Sequence, residues 1–176
     1  MILVANRPTS LREDLELPGR AAKVAQPLGG PTLAFSHLLD TSVYCQPIKP
    51  KPLAPVRERW MALGDAALAV SAICEAEVLY GLELKKSAKL EAIYDGLLRE
   101  RLRVLPVDSG VAKHFASLKA WAKVNGRSPS DFDLLIAATA RGHGLTLATL
   151  NIRHFQSFPS LTVEDWSQEG VKPEWH

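Results

Sequence analysis

Cysteine is scarce: Cys45 and Cys74 are the only two thiols among 176 residues. They show no Cys-x-x-Cys spacing, so neither a disulfide framework nor a thiolate zinc site is indicated. Long apolar runs are missing too, and no stretch reaches the length that crosses a bilayer. The first residues lack the basic start and apolar core of a secretory signal. A cytoplasmic protein without membrane contact is the expectation. An excess of one charge is nearly absent, since 21 Lys and Arg against 19 Asp and Glu leave +2. That balance, with a sequence pI of about 8.6, permits nucleic-acid contact without demanding it. Neither Gly-x-x-x-x-Gly-Lys-Ser/Thr nor Gly-x-Gly-x-x-Gly occurs, so nucleotide-cradling loops have no support. Ser, Cys and His fall into no arrangement that makes a nucleophilic triad.

With 47% hydrophobic residues, the chain can build one good core but not two ample domains. Residues 1–33 read as an N-terminal extension. Pro8, Pro18, Pro27, Pro31, Gly19, Gly29 and Gly30 interrupt them, and no apolar periodicity is sustained. Disorder is the expectation there, with room for a short helix around Leu11 to Leu17. Residues 34–168 form the domain, and 169–176 a C-terminal tail. A strand runs up to Asp40, a Pro/Lys loop spans Gln46 to Pro55, and a helix covers Val56 to Leu63. A strand at Ala67 to Val70 precedes helices at Ile73 to Lys86 and Ala88 to Arg101. Arg103 to Pro106 is a third strand. Asp108 caps a helix through Lys123 that closes near Gly126. Asp131 to Arg141 is a helix burying Leu134, Leu135 and Ala138. Strands at Leu145 to Thr149 and Leu161 to Val163 complete the pattern. Strands alternating with helices predict an α/β fold, a mostly parallel sheet of four or five strands between helical layers. Ligands of such sheets bind beyond the carboxyl ends of the strands.

Three carboxylates stand at the ends of apolar runs: Asp40 in H-L-L-D-T-S, Glu77 in A-I-C-E-A-E-V-L-Y-G, and Asp133 in D-F-D-L-L-I-A-A. Asn151 ends the strand L-T-L-A-T-L-N in the same way. A charge beside a buried run is costly unless it is solvated, paired or bound to a cation. Three that converge would repel one another, and a divalent ion removes that conflict. Mg²⁺ and Mn²⁺ take hard oxygen ligands, so Asp40, Glu77 and Asp133 are the candidate metal set. Such an ion can activate water against a phosphodiester. Asn151 offers a carbonyl oxygen without charge.

Each residue has a simpler reading. Asp40 could be only a cap, with Thr41 and Ser42 capping the next segment or orienting its carboxylate. Glu77 could be a solvated helical residue. Glu75 lies roughly 200° away around the helix, so only one of the two faces the site. Glu77 is chosen because Val78, Tyr80, Gly81 and Leu84 continue a packed surface around it. Asp131 suits the N-cap of its helix, leaving Asp133 in the first turn, where free amides favour a carboxylate. Arg153 and His154 either touch a phosphate or lie on the surface. Lys49 and Lys51 suit phosphate steering, His143 its helix end, and Lys85, Lys86 and Lys89 a solvated end.

These residues resemble the PIN-domain ribonucleases, especially the VapC-type toxins of bacterial toxin–antitoxin pairs. The similarity runs from about Leu38 to Trp166. It is carried by L-L-D-T-S at 38–42, S-A-I-C-E-A-E-V-L-Y-G at 71–81 and G-R-S-P-S-D-F-D-L-L-I-A-A-T-A at 126–140. H-G-L-T-L-A-T-L-N-I-R-H-F at 143–155 and L-T-V-E-D-W at 161–166 complete it. The resemblance implies a PIN-like α/β/α sandwich and a Mg²⁺- or Mn²⁺-dependent endoribonuclease. Its catalytic residues would be Asp40, Glu77, Asp133 and Asn151, with the three acids binding metal. The fourth position is Asp in some members and Asn in many. Members usually form homodimers, held silent by a small VapB-like antitoxin through which DNA is contacted only indirectly. Such toxins commonly begin a few residues before the first Asp, so residues 1–33 depart from the pattern. The alternative class is a catalytically weak or inactive PIN-fold module that binds RNA or protein. A phosphoacceptor receiver also places an Asp at a strand end, but this chain lacks its paired acids and late Lys. The apolar residues Leu79, Leu82, Leu90, Ile93, Tyr94 and Leu97 would serve either the core or a partner surface. No motif names the RNA.

Overall fold

In the computed structural model, the described residues are 35–168. The expected extension at 1–33 and the tail at 169–176 lie outside them. Strand β1 (His37–Leu39) leads to a one-turn helix α1 (Thr41–Tyr44), a 3₁₀ turn at Gln46–Ile48 and helix α2 (Ala54–Leu63). A second 3₁₀ turn at Asp65–Ala67 feeds β2 (Leu68–Ser71), followed by α3 (Ala72–Lys85), α4 (Ala88–Leu97) and β3 (Arg103–Leu105). Then come α5 (Ser109–Val124), α6 (Asp131–Gly142), β4 (Thr146–Thr149), α7 (Ile152–Phe155) and β5 (Val163–Asp165).

All five strands run parallel, in the order β3-β2-β1-β4-β5. Parallel sheets are covered on both faces, so their strands read as continuous apolar runs. Leu38, Leu39, Leu68, Ala69, Val70, Leu147 and Ala148 are accordingly fully buried. Helices flank the sheet, as the alternating pattern predicts. The chain first moves outward from β1 to β2 and β3, then returns to place β4 on the other side of β1. The β1/β4 boundary is therefore a topological switch point, where parallel sheets open a crevice for ligands. Its register pairs Leu39 with Ala148, so Asp40 and Thr149 emerge together at the carboxyl edge.

Several boundaries differ from the sequence reading, each for a local reason. Helix α4 stops at Leu97 rather than near Arg101, because the Tyr94 carbonyl accepts from the amides of both Leu98 and Arg99, and Glu100 has φ +59°. Ser130, not Asp131, is the N-cap of α6: its hydroxyl accepts from the Asp133 amide at 3.0 Å, while Asp131 binds Lys119 at 2.7 Å. The last strand is Val163–Asp165, two residues later than expected. Helices α1 and α7 went unanticipated, because four residues are too few to display a helical period.

Candidate active site

Asp40 leaves β1 at the first position before α1, yet its side chain makes no capping hydrogen bond. Both of its described hydrogen bonds fall on one oxygen. Ser42 Oγ donates to Oδ2 at 2.6 Å and Thr149 Oγ1 donates to the same atom at 2.8 Å. Each hydroxyl is itself held from behind, Ser42 by the Leu150 amide at 3.0 Å and Thr149 by the Asn151 amide at 2.9 Å. The Asp40 amide meanwhile donates to the Ala148 carbonyl at 2.9 Å. The two strand ends at the switch point are thus laced together around a carboxylate only 5% exposed. Its Oδ1 receives no hydrogen bond among the described residues and is left for another partner.

Glu77 lies on α3, behind the N-cap Ser71, whose hydroxyl accepts from the Cys74 amide at 3.1 Å. Its Oε2 accepts from the Thr41 hydroxyl. Of the two hydroxyls after Asp40, Ser42 therefore orients Asp40 and Thr41 orients Glu77. Glu75 points elsewhere, raising the pKa values of the Tyr44–Tyr94 pair, though burial is the larger cause for both phenols. Choosing Glu77 over Glu75 agrees with the pocket, but the packed-surface argument for it does not hold. Val78 is buried, whereas Tyr80 and Leu84 are each 65% exposed. Helical phase says only that one of the two glutamates can face the pocket; the fold places Glu77 there.

Asp133 is the third residue of α6, where the free amides of the first turn face it. Its Oδ2 lies 3.4 Å from His154 Nδ1. Asn151 stands before α7, exposed, and its side chain makes no capping bond. Asp40, Glu77, Asp133 and Asn151 all line one open pocket of about 850 Å³, with Tyr80, Phe132 and His154 also on its walls. All four sequence candidates are thereby brought to one place. Thr149, which fixes Asp40, was missed, because only the pairing of β4 with β1 sets its hydroxyl against that acid.

The donor set is oxygen-rich and suits a hard divalent cation. Among the described residues, no three His, Cys, Asp or Glu side chains form a ready-made cage for an ion. An ion that keeps much of its water shell, as Mg²⁺ does, would suit such an open set of oxygens. Beneath the pocket, Cys74 is fully buried and accepts from Ser71 Oγ at 3.1 Å. Burial first, then the negative fields of Asp40 and Glu77, push its thiol up to about 12, against hydrogen bonds to Ser71 and Thr41. Cys45 is raised as well, chiefly by burial. Neither thiol is activated for nucleophilic work.

A five-stranded parallel sheet with acidic groups gathered at its switch point defines a class of α/β protein with an acidic pocket at the strand ends. The PIN domain family model matches residues 37–159, and the chain belongs to that family. It is 35% identical over 134 residues to the tRNA(fMet)-specific endonuclease VapC of Shigella flexneri, covering 76% of this chain and 99% of that protein. It is 32% identical to the toxin FitB of Neisseria gonorrhoeae, covering 73% of this chain and 97% of the other. The DNA-bound VapBC complex of Salmonella typhimurium contains a chain that matches with a TM-score of 0.67 and 32% identity, over 75% of this chain and 98% of that one. Within the family, the chain groups with the VapC-type ribonuclease toxins.

Proposed function

We propose that the protein is a Mg²⁺-dependent endoribonuclease and the toxin of a toxin–antitoxin pair, with Mn²⁺ able to replace Mg²⁺. One observation carries the reading: acids from three separate segments, Asp40, Glu77 and Asp133, line a single pocket. Asp40, Glu77 and Asp133 would hold the metal, which when bound activates a water and offsets charge developing on the phosphodiester. Asp40 presents its Oδ1, unbonded among the described residues, because Ser42 and Thr149 occupy Oδ2. Thr41 fixes Glu77, and Asp133 stands in the first turn of α6, where the amides at the helix start face it. Asn151 orients a water or a substrate oxygen with a neutral amide, adding no repulsion to the acidic group. Transfer RNA is the first substrate to test, because the Shigella flexneri relative is a tRNA(fMet)-specific endonuclease.

The partner proposed is a small VapB-like antitoxin, since solved relatives include the DNA-bound VapBC complex of Salmonella typhimurium and a FitAB complex bound to a DNA fragment. A homodimer is proposed as well. It is supported by exposed apolar side chains on α3 and α4, with Leu79 40%, Leu84 65% and Leu97 42% accessible. A cytoplasmic setting is part of the same proposal, since that is where the RNA substrate would be met. No described helix is long and apolar enough to cross a membrane. The test is RNA cleavage with and without EDTA, comparing the wild type with Asp40→Asn. Loss of cutting in both EDTA and the variant is expected; equal cutting by variant and wild type removes the assignment.

A further inference from the structure

Beside the acidic pocket lies a second open cleft of about 430 Å³ with the opposite electrostatic character. Its lining includes Arg127, Arg153, His154, Ser130 and Ser157, and Asp133 is the one carboxylate on its wall. Asp133 and His154 line both clefts, so the two adjoin. A pocket of three carboxylates repels the polyanion it must cut, and a metal alone neutralises only the scissile group. A neighbouring cationic cleft supplies the anchoring that the acids cannot.

The cleft is organised in advance of any ligand. Gly126, at φ +65°, turns the chain out of α5, and the Arg127 amide closes back on the Ala122 carbonyl at 2.8 Å. The Arg127 guanidinium then lies 5.8 Å from the Trp121 ring centroid and donates through Nη1 to Ser157 Oγ at 2.7 Å. That leaves further guanidinium donors available in a fixed plane, the geometry that favours phosphate recognition. Arg153 approaches from α7, next to the Asn151 end of β4. Two arginines from separate segments thus converge on one opening.

We infer that the Arg127–Arg153 cleft is a subsite for a backbone phosphate of single-stranded RNA, adjacent to the phosphodiester being cut. The inference rests on the nuclease reading and deepens it. Both residues act in substrate binding, not in the chemical step.

The test separates binding from cutting. Affinity for a fluorescent mixed-sequence oligoribonucleotide is measured by anisotropy in Asp40→Asn, alone and with Arg127→Ala, Arg153→Ala or both added. Each arginine removed should weaken binding roughly 10-fold, the size expected for deleting a charge-assisted hydrogen bond. The slope of log affinity against log salt should shrink by about 0.7 for each phosphate no longer neutralised. Arg127→Lys, which keeps the charge but not the fork, should fall between. Melting curves check that the variants remain folded. In the otherwise wild-type chain, the double variant should raise KM with little change in kcat. Affinity and salt slope unchanged in the double variant would overturn the subsite, whether or not the wild type cuts RNA. Weakened binding of an acidic peptide, with RNA affinity intact, would overturn it in favour of a protein partner. Persistent cleavage by Asp40→Asn is the separate result that defeats the nuclease reading.

Discussion

Asp40 treats its two oxygens differently: one is committed to Ser42 and Thr149, and the other has no hydrogen bond among the described residues. Thr149→Val keeps the shape but removes a donor from Oδ2 and an acceptor from the Asn151 amide. Groups that orient a ligating carboxylate typically matter by ~10–100-fold. Cleavage should therefore fall by that order, with weaker apparent Mn²⁺ affinity in a metal titration. An unchanged metal dependence would show that the hydroxyl only packs. At the thiols the expectation is the reverse. Cys74 is fully buried and pushed up to about 12, so a thiol reagent at mildly alkaline pH should label it only after denaturation. Helical phase told the sequence reading that only one of Glu75 and Glu77 could face the site, but not which one. The role of Thr149 was not, because its partner lies on a different strand, far away in the chain.

At the level of elements, Ser130 both starts α6 and sets the position of Asp133, whose amide it caps. Ser130→Ala should cost about 1 kcal/mol of stability, read by denaturant unfolding, and should also lower activity by loosening the first turn. The 3₁₀ turn before β2 is secured by Asp65, which accepts from the Trp60 indole at 2.7 Å and from Arg101 Nε at 2.9 Å. Burial opposes ionisation of Asp65, but these hydrogen bonds and the Arg101 charge outweigh it and hold its pKa below the ordinary value. The folded state then binds the proton less readily than the unfolded chain. Its stabilising contribution is full above the unfolded pKa and is lost as pH falls through the folded one. Asp65→Asn should therefore flatten part of the stability loss on acidification, checked by melting temperatures across that range. The long periodic helices were legible from the sequence. The one-turn helices α1 and α7, which connect strand ends to the pocket walls, were not, because tertiary hydrogen bonds rather than periodicity hold them.

For the molecule as a whole, the last strand closes the sheet through Trp166, which is fully buried and donates from its indole to Glu164 at 2.7 Å. Glu164 also meets His37 at 3.1 Å and Arg59 at 3.5 Å, tying β5 to β1 and α2. Trp166→Ala should destabilise by ~3–5 kcal/mol, the usual cost of emptying an aromatic core site, seen as a lower denaturation midpoint. The apolar residues of α3 and α4 split between two fates: Leu82 and Tyr94 are in the core, while Leu79, Leu84 and Leu97 remain substantially exposed. Sequence periodicity marked them all as apolar without telling these apart. Replacing Leu79 and Leu84 by Glu should lower the solution mass measured by light scattering if that face joins two copies.

The sequence by itself determined the alternation of strands and helices, and with it a parallel sheet flanked by helices. It also marked four of the polar residues found at the strand-end pocket, because an acid or amide closing a buried run must have a use. Only the tertiary structure decided that β4 lies beside β1. That adjacency sets Thr149 against Asp40 and joins a cationic cleft to an acidic one, through hydrogen bonds between segments more than a hundred residues apart. Local propensity acts over a few residues, and strand order is settled by packing the whole core.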